Sequence, residues 1–246
     1  MTLSPEILSL ACLFFIVAAL YASVGHGGGS SYIAVMTLLG FSPLVMKPTA
    51  LCLNIVVASL AVWHFQRRGC VNFRQTALFL AGSIPAVFLA SQWNVSKTLF
   101  AFVLGTALLG SAVRLLVAIH EPKTVRPPHA AIAVACGFAI GLLSGISGIG
   151  GGVFLSPLLV LAGWCGLRQA SGMSALFILV NSFVGLISRQ PDIALLPSGL
   201  ALWIPAVACG GWIGSQWGSH RLPLLWIRRA LALVLVLATT KWIVQL

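Results

Sequence analysis

Acidic side chains are nearly missing from this sequence. Its 246 residues include 3 carboxylates against 14 lysines and arginines. The three are Glu6, Glu121 and Asp192, and none lies inside an apolar run. No carboxylate relay through a membrane interior can therefore be built from them. The six cysteines, Cys12, Cys52, Cys70, Cys136, Cys165 and Cys209, form no C-x-x-C pair. That pattern excludes a thiolate metal site and a disulfide framework, so the cysteines are read as packing residues and no metal or cofactor is expected. Charged residues make up only 7%, where a soluble domain has about 25%. The N-terminus has no basic n-region or A-x-A-like site, so the first apolar run reads as a retained helix in a chain that starts near Met1. Strict apolar/polar alternation is absent too, which excludes a barrel.

Apolar runs are what the chain has in abundance, at 59% hydrophobic residues. A helix needs about 20 apolar residues to cross the roughly 30 Å hydrocarbon core, so the sequence predicts an all-α polytopic membrane protein in a lipid bilayer. The net charge of +11 does not point to nucleic acid, because the basic residues sit mainly between the apolar runs.

In order, the predicted segments are 7–24, 30–46, 49–65, 76–93 and 99–113, then 130–147, 153–165, 170–188, 194–217 and about 230–246. Gly40-Phe41-Ser42-Pro43 marks a turn within the second, and Lys47-Pro48 its end. Prolines and charges between His120 and Pro128 make a polar linker, giving a first repeat 1–118, a loop 119–129 and a second repeat 130–246 in one membrane domain.

Two glycine clusters break the apolar pattern. Gly25-His26-Gly27-Gly28-Gly29-Ser30-Ser31 follows the first segment, and Gly148-Ile149-Gly150-Gly151-Gly152 lies 123 positions on, half the chain length. At that offset Leu38, Gly40, Leu44, Leu53, Val57 and Ser59 match Leu161, Gly163, Leu167, Leu176, Val180 and Ser182. Ile84-Pro85-Ala86-Val87 also returns at Ile204–Val207, and Ser91-Gln92-Trp93 at Ser215–Trp217. The chain reads as one unit written twice. Five segments per half is odd, so the repeats are expected to be inverted; if the first two segments form a re-entrant hairpin, three crossings remain, also odd.

Alternating the loops places Arg67, Arg68, Arg74, Arg114, Lys123, Arg126, Arg168, Arg221, Arg228 and Arg229 on one side. Lys47, Lys97, Arg189 and Lys241 fall on the other. The richer side is expected in the cytoplasm and both termini away from it.

Inverted repeats with interrupted helices suit a secondary transporter, whose unwound backbone meets substrate near the midplane. Glycine permits positive φ and close backbone approach, so successive N–H groups can converge on a small anion, and a helix starting at Ser30 or Val153 aims its positive end there. Close helix packing is the structural alternative. His26, replaced by Ile149 in the second break, is either a neutral hydrogen-bond donor or a proton-linked switch, with protons as coupling ion. Asn54 and Asn181 need partners inside apolar runs, for substrate or between helices. Ser30, Ser31, Ser144 and Ser147 flank the breaks as hydroxyl donors. The candidate substrate-binding set is therefore Gly25, His26, Gly27, Gly28, Gly29, Ser30, Ser31, Asn54, Ser144, Ser147, Gly148, Gly150, Gly151, Gly152 and Asn181.

Val24–Gly29, then Lys47-Pro48-Thr49-Ala50, with the echoes Ser144–Gly152 and Met173-Ser174-Ala175-Leu176, resembles the TauE/SafE family of sulfite and organosulfur exporters. The resemblance covers nearly the whole chain. It implies a non-enzymatic permease of the bacterial inner membrane, with periplasmic termini, moving sulfite, sulfonates or similar anions outward. A passive anion channel uses the same architecture. An intramembrane serine protease of the rhomboid kind is the third reading, because Gly145-Ile146-Ser147-Gly148 fits G-x-S-G and His26 is a possible base. Monomer and homodimer both remain open.

Overall fold

The structure is a computed structural model that describes residues 5–93, 125–190 and 196–220, together with Pro223, Trp226 and Arg229. Eight helices and no strand occur among the described residues: α1 Pro5–Ser23, α2 Gly29–Leu38, α3 Pro43–Arg67, α4 Phe73–Ala90, α5 Ala130–Ser147, α6 Gly152–Leu161, α7 Leu167–Arg189 and α8 Leu200–His220. The predicted segments 99–113 and 230–246 lie outside the described residues, as does most of the loop 119–129.

Local signals explain most boundaries. Pro43 starts α3 where a missing N–H costs nothing, and the Asn72 side chain caps α4 by accepting from Gln75 N at 3.0 Å. The second predicted segment needs correction, because α2 stops at Leu38 and α3 runs through Lys47-Pro48. The turn expected at Gly40–Pro43 is present, with Gly40 at φ +77°, and only the end at Lys47-Pro48 is wrong: Pro48 stands little more than one turn into the helix, where it removes a single ladder bond.

Among the described residues, five helices contain stretches long and apolar enough to cross a membrane: Glu6–Ser23, Leu44–Arg67, Phe73–Ala90, Ala130–Ser147 and Leu167–Arg189. With ten residues each, α2 and α6 reach only about 15 Å, half that distance. Large apolar side chains such as Leu8, Ile16, Phe88, Phe138, Phe183 and Ile187 face outward. Serines, Asn54, Asn181 and His26 are buried instead. This polarity, apolar outside and polar within, suits lipid rather than water. The chain is an all-α multi-pass membrane protein.

At its centre α3 and α7 run antiparallel: Leu51 packs on Gly185 while Ala61 and Phe65 cluster with Ala175. Helix α8 packs on α3 and α4 on α7, while α2 lies along α3 and α6 along α7. The outer pairs exchange between halves. Parallel to α8, α1 presents Phe15, Ala19 and Ser23 backbone to Gly210, Gly214 and Gly218; parallel to α5, α4 presents Phe79 and Ser83 to Gly137 and Gly141. A Cβ on Gly214 would overlap the Ala19 carbonyl, which is backbone and cannot swing aside. Gly214→Val is therefore expected to cost about 3 kcal/mol, the upper end of overpacking. Loss of the monodisperse peak on size exclusion in mild detergent checks it.

Backbone geometry repeats along with the sequence. Gly25 and Gly148 both have φ of +73°, Gly28 and Gly151 +93° and +77°, Gly40 and Gly163 +77° and +69°.

Candidate functional site

The first break begins as α1 closes. Gly25 N donates to Ala22 O at 3.1 Å and His26 N to Tyr21 O at 2.8 Å, after which the chain leaves the helix and re-enters at Gly29. The second does the same, with Gly148 N on Ser144 O at 2.8 Å and Ile149 N on Ser147 Oγ at 3.3 Å. Each break then continues as a run of donors. The N–H groups of Gly27, Gly28, Gly29 and Ser30, and of Gly150, Gly151, Gly152 and Val153, have no acceptor among the described residues, and all eight residues are buried. Buried backbone donors are almost always paired, so two such runs at the starts of α2 and α6 call for a ligand.

Asn54 joins the two breaks. It is fully buried on α3, donates from Nδ2 to Ile149 O at 3.0 Å, and lies against Gly27 and Gly29 on one side and Gly150 on the other. Its Oδ1 has no partner, nor has the Ser182 hydroxyl, which flanks Gly150, or the Tyr32 hydroxyl beside Gly28.

His26 is buried and reaches across to the other half. Nε2 lies 3.1 Å from Gly152 O and 3.0 Å from Ser156 Oγ. A carbonyl can only accept, so the geometry assigns the proton to Nε2. Ser156 passes its own proton on to Ser174 Oγ at 2.6 Å. Nδ1 is left as a buried lone pair without a partner.

The remaining candidates are placed as follows. Ser30 and Ser31 both bond the Tyr21 hydroxyl, at 3.0 and 2.7 Å. Ser147 donates to Ser144 O at 3.3 Å while accepting from Ile149 N, and Ser144 sits beneath Gly151. Asn181 accepts from Ser83 Oγ at 2.9 Å, tying α7 to α4, and its Nδ2 is buried without a partner. Ser147 is held by its own backbone and His26 turns to Gly152 and Ser156, so His26 and Ser147 are not paired.

Ser156, Ser174, Ser182, Tyr21 and Tyr32 belong to this centre, and the sequence reading does not single them out. Ser174 and Ser182 stand in matched motifs, so the repeat carries a signal for them. Ser156 carries none. No group of three or more histidines, cysteines or carboxylates that could hold a metal occurs among the described residues.

The family model described as "Sulfite exporter TauE/SafE" matches residues 10–242. The chain is 37% identical to a probable membrane transporter protein, y4hK, of Sinorhizobium fredii, over 97% of this chain and 99% of the relative. It is 23% identical to the probable membrane transporter protein YunE of Bacillus subtilis, covering 85% of this chain and 86% of the relative. A third, MJ0441 of Methanocaldococcus jannaschii, also a probable membrane transporter protein, is 26% identical over 71% of this chain and 68% of its own. No solved structure matches. Buried breaks that each lead into a half-length helix, a lipid-facing exterior and these matches agree: the chain belongs to the TauE/SafE family of membrane transporters.

Proposed function

We propose that this protein is a secondary transporter that exports a small sulfur-containing anion, such as sulfite or a sulfonate, by alternating access of two inverted halves. One observation carries the reading: the runs of unpaired donors Gly27–Ser30 and Gly150–Val153, one from each half, both touch Asn54, through Gly27 and Gly29 on one side and Gly150 on the other. Two helix N-termini facing one buried site make an anion cradle that needs no lysine or arginine at its centre. Inversion is supported by α3 and α7, which correspond at the 123-residue offset and run antiparallel, and by the exchanged pairs α1 with α8 and α5 with α4.

The free Nδ1 of His26 supports proton coupling. A proton arriving there turns a lone pair into a charged donor without disturbing the bonds at Nε2, so one proton and one anion could occupy the site together. The arginine-rich end of α3 facing the cytoplasm, with both termini periplasmic, fits the bacterial inner membrane.

Labelled sulfite uptake into proteoliposomes, with and without an imposed pH gradient, tests both parts. Flux should follow the gradient in the natural protein, and His26→Ala should lower it at least tenfold and remove the dependence on pH gradient. Flux indifferent to the gradient and to His26 identifies a passive facilitator instead.

A further inference from the structure

Lys47 and Arg189 come together at one end of the α3–α7 pair, beside the second break. The Cβ and Cγ of Lys47 pack on Gly148, each 3.2 Å from where a Cβ would stand. Arg189 donates from Nη2 to Gly145 O at 2.6 Å, three residues before Gly148, while its Nε is buried without a partner. Leu51 packs on Gly185, so the antiparallel helices bring Lys47, four residues before the one, and Arg189, four residues after the other, to the same end. The helix start adds positive potential: Ser42 makes no side-chain cap and the first turn of α3 has no acidic residue.

Topology alone does not account for this pair. Arg67 at the opposite end of α3 is exposed and stacks over Trp63 at 4.1 Å, as a membrane-surface marker would. Lys47 and Arg189 are half-buried, where like charges are costly unless something negative lies between them. Counter-charge is scarce, since Glu6 heads α1 and the other two carboxylates lie outside the described residues. The positions matching Lys47 and Arg189 hold Ala170 and Gln66, while the opposite end of the α3–α7 pair carries cations of its own, half-buried Arg168 in the first turn of α7 with Arg67 and Arg68 at the end of α3.

We propose that Lys47, Arg189 and the start of α3 form an anion-holding antechamber, through which the oxyanion passes between solvent and the second glycine break on the face of the membrane that carries them. This rests on the reading of the central site as an anion cradle. A cation-lined mouth raises the local concentration of an anion and holds it until the cradle opens, without completing the central site.

The test is labelled sulfite flux in right-side-out and inverted membrane vesicles. Lys47→Gln with Arg189→Gln should raise the half-saturating sulfite concentration at least tenfold from the face carrying Lys47, flatten its salt dependence, and change the other face less than twofold. Lys47→Arg with Arg189→Lys keeps both charges and should stay within threefold of the natural protein on both faces, which separates charge from folding. Equal effects on the two faces, or none, overturn the antechamber and leave the anion reading standing. So does Asp192→Asn reproducing the double variant, since a carboxylate would then be the partner of the pair. A natural protein that moves no sulfite, sulfonate or sulfate at all overturns the anion reading, and the antechamber with it.

Discussion

Asn54→Asp is expected to abolish anion flux, by about a hundredfold or more, equivalent to ~2.7 kcal/mol. The asparagine does two things at one point: Nδ2 satisfies the buried Ile149 carbonyl at 3.0 Å, and Oδ1 stands among the unpaired backbone donors of the first break. An aspartate has no N–H to give, so Ile149 O loses its partner, worth about 1–3 kcal/mol in a buried setting. The larger effect is electrostatic. A carboxylate in that position is itself an anion held among the N–H groups, and it excludes the substrate by charge and by occupying its donors. Asn54→Leu separates the two, because it loses the same hydrogen bond but adds no charge, and should lose about tenfold. Sulfite uptake at matched protein content in proteoliposomes measures both. If Asn54→Asp retains flux, the backbone donors around it do not meet the transported anion.

The sequence exposes the two breaks because clustered glycine in an apolar run conflicts with a continuous membrane helix, and the conflict occurs twice at a constant spacing. Ala130–Ser147 is legible to the residue for a similar reason: a proline-rich linker lies before it and Gly148 after. Pro48 misleads because proline is a stop signal only deep inside a helix; whether it is deep depends on where the helix starts, and here Pro43 has already started it. Asn54 is harder. Its repeat partner is Phe177, so symmetry argues against it, whereas the fold uses it as a polar tie across both breaks. Ser156 is invisible because a lone serine in an apolar helix ordinarily bonds its own backbone, and only the approach of His26 from the other half gives it another task. The four-residue spacing of Gly210, Gly214 and Gly218 is plain in the sequence. Which helix those glycines admit is a tertiary fact.

Gly151→Val should eliminate transport, at least a hundredfold, in a protein that still inserts, whereas Gly40→Val should keep more than half of the flux. The comparison is controlled by the backbone, since both glycines have φ of +77° and a branched side chain pays a similar strain at each, about 1–2 kcal/mol. Their surroundings differ. Around Gly40 a Cβ meets nothing within 4 Å, so only the strain is felt, and Tm falls by about 2–8 °C. At Gly151 a Cβ meets Phe177 Cε1 at 2.9 Å, Ile140 Cγ2 at 3.1 Å and Ser144 Cβ at 3.2 Å. These are side-chain atoms rather than backbone, so the helices can yield and the protein can still fold. Yielding turns the Gly151–Val153 peptide planes, however, and an anion cradle depends on its donors being held in place before the ligand arrives. Thermal melts in detergent should therefore fall further for Gly151→Val, by the ~1–3 kcal/mol of overpacking, in a protein that still folds, while sulfite flux diverges by about two orders of magnitude. Equal flux in the two would reduce the second break to a hinge in the chain, with no part in holding the anion.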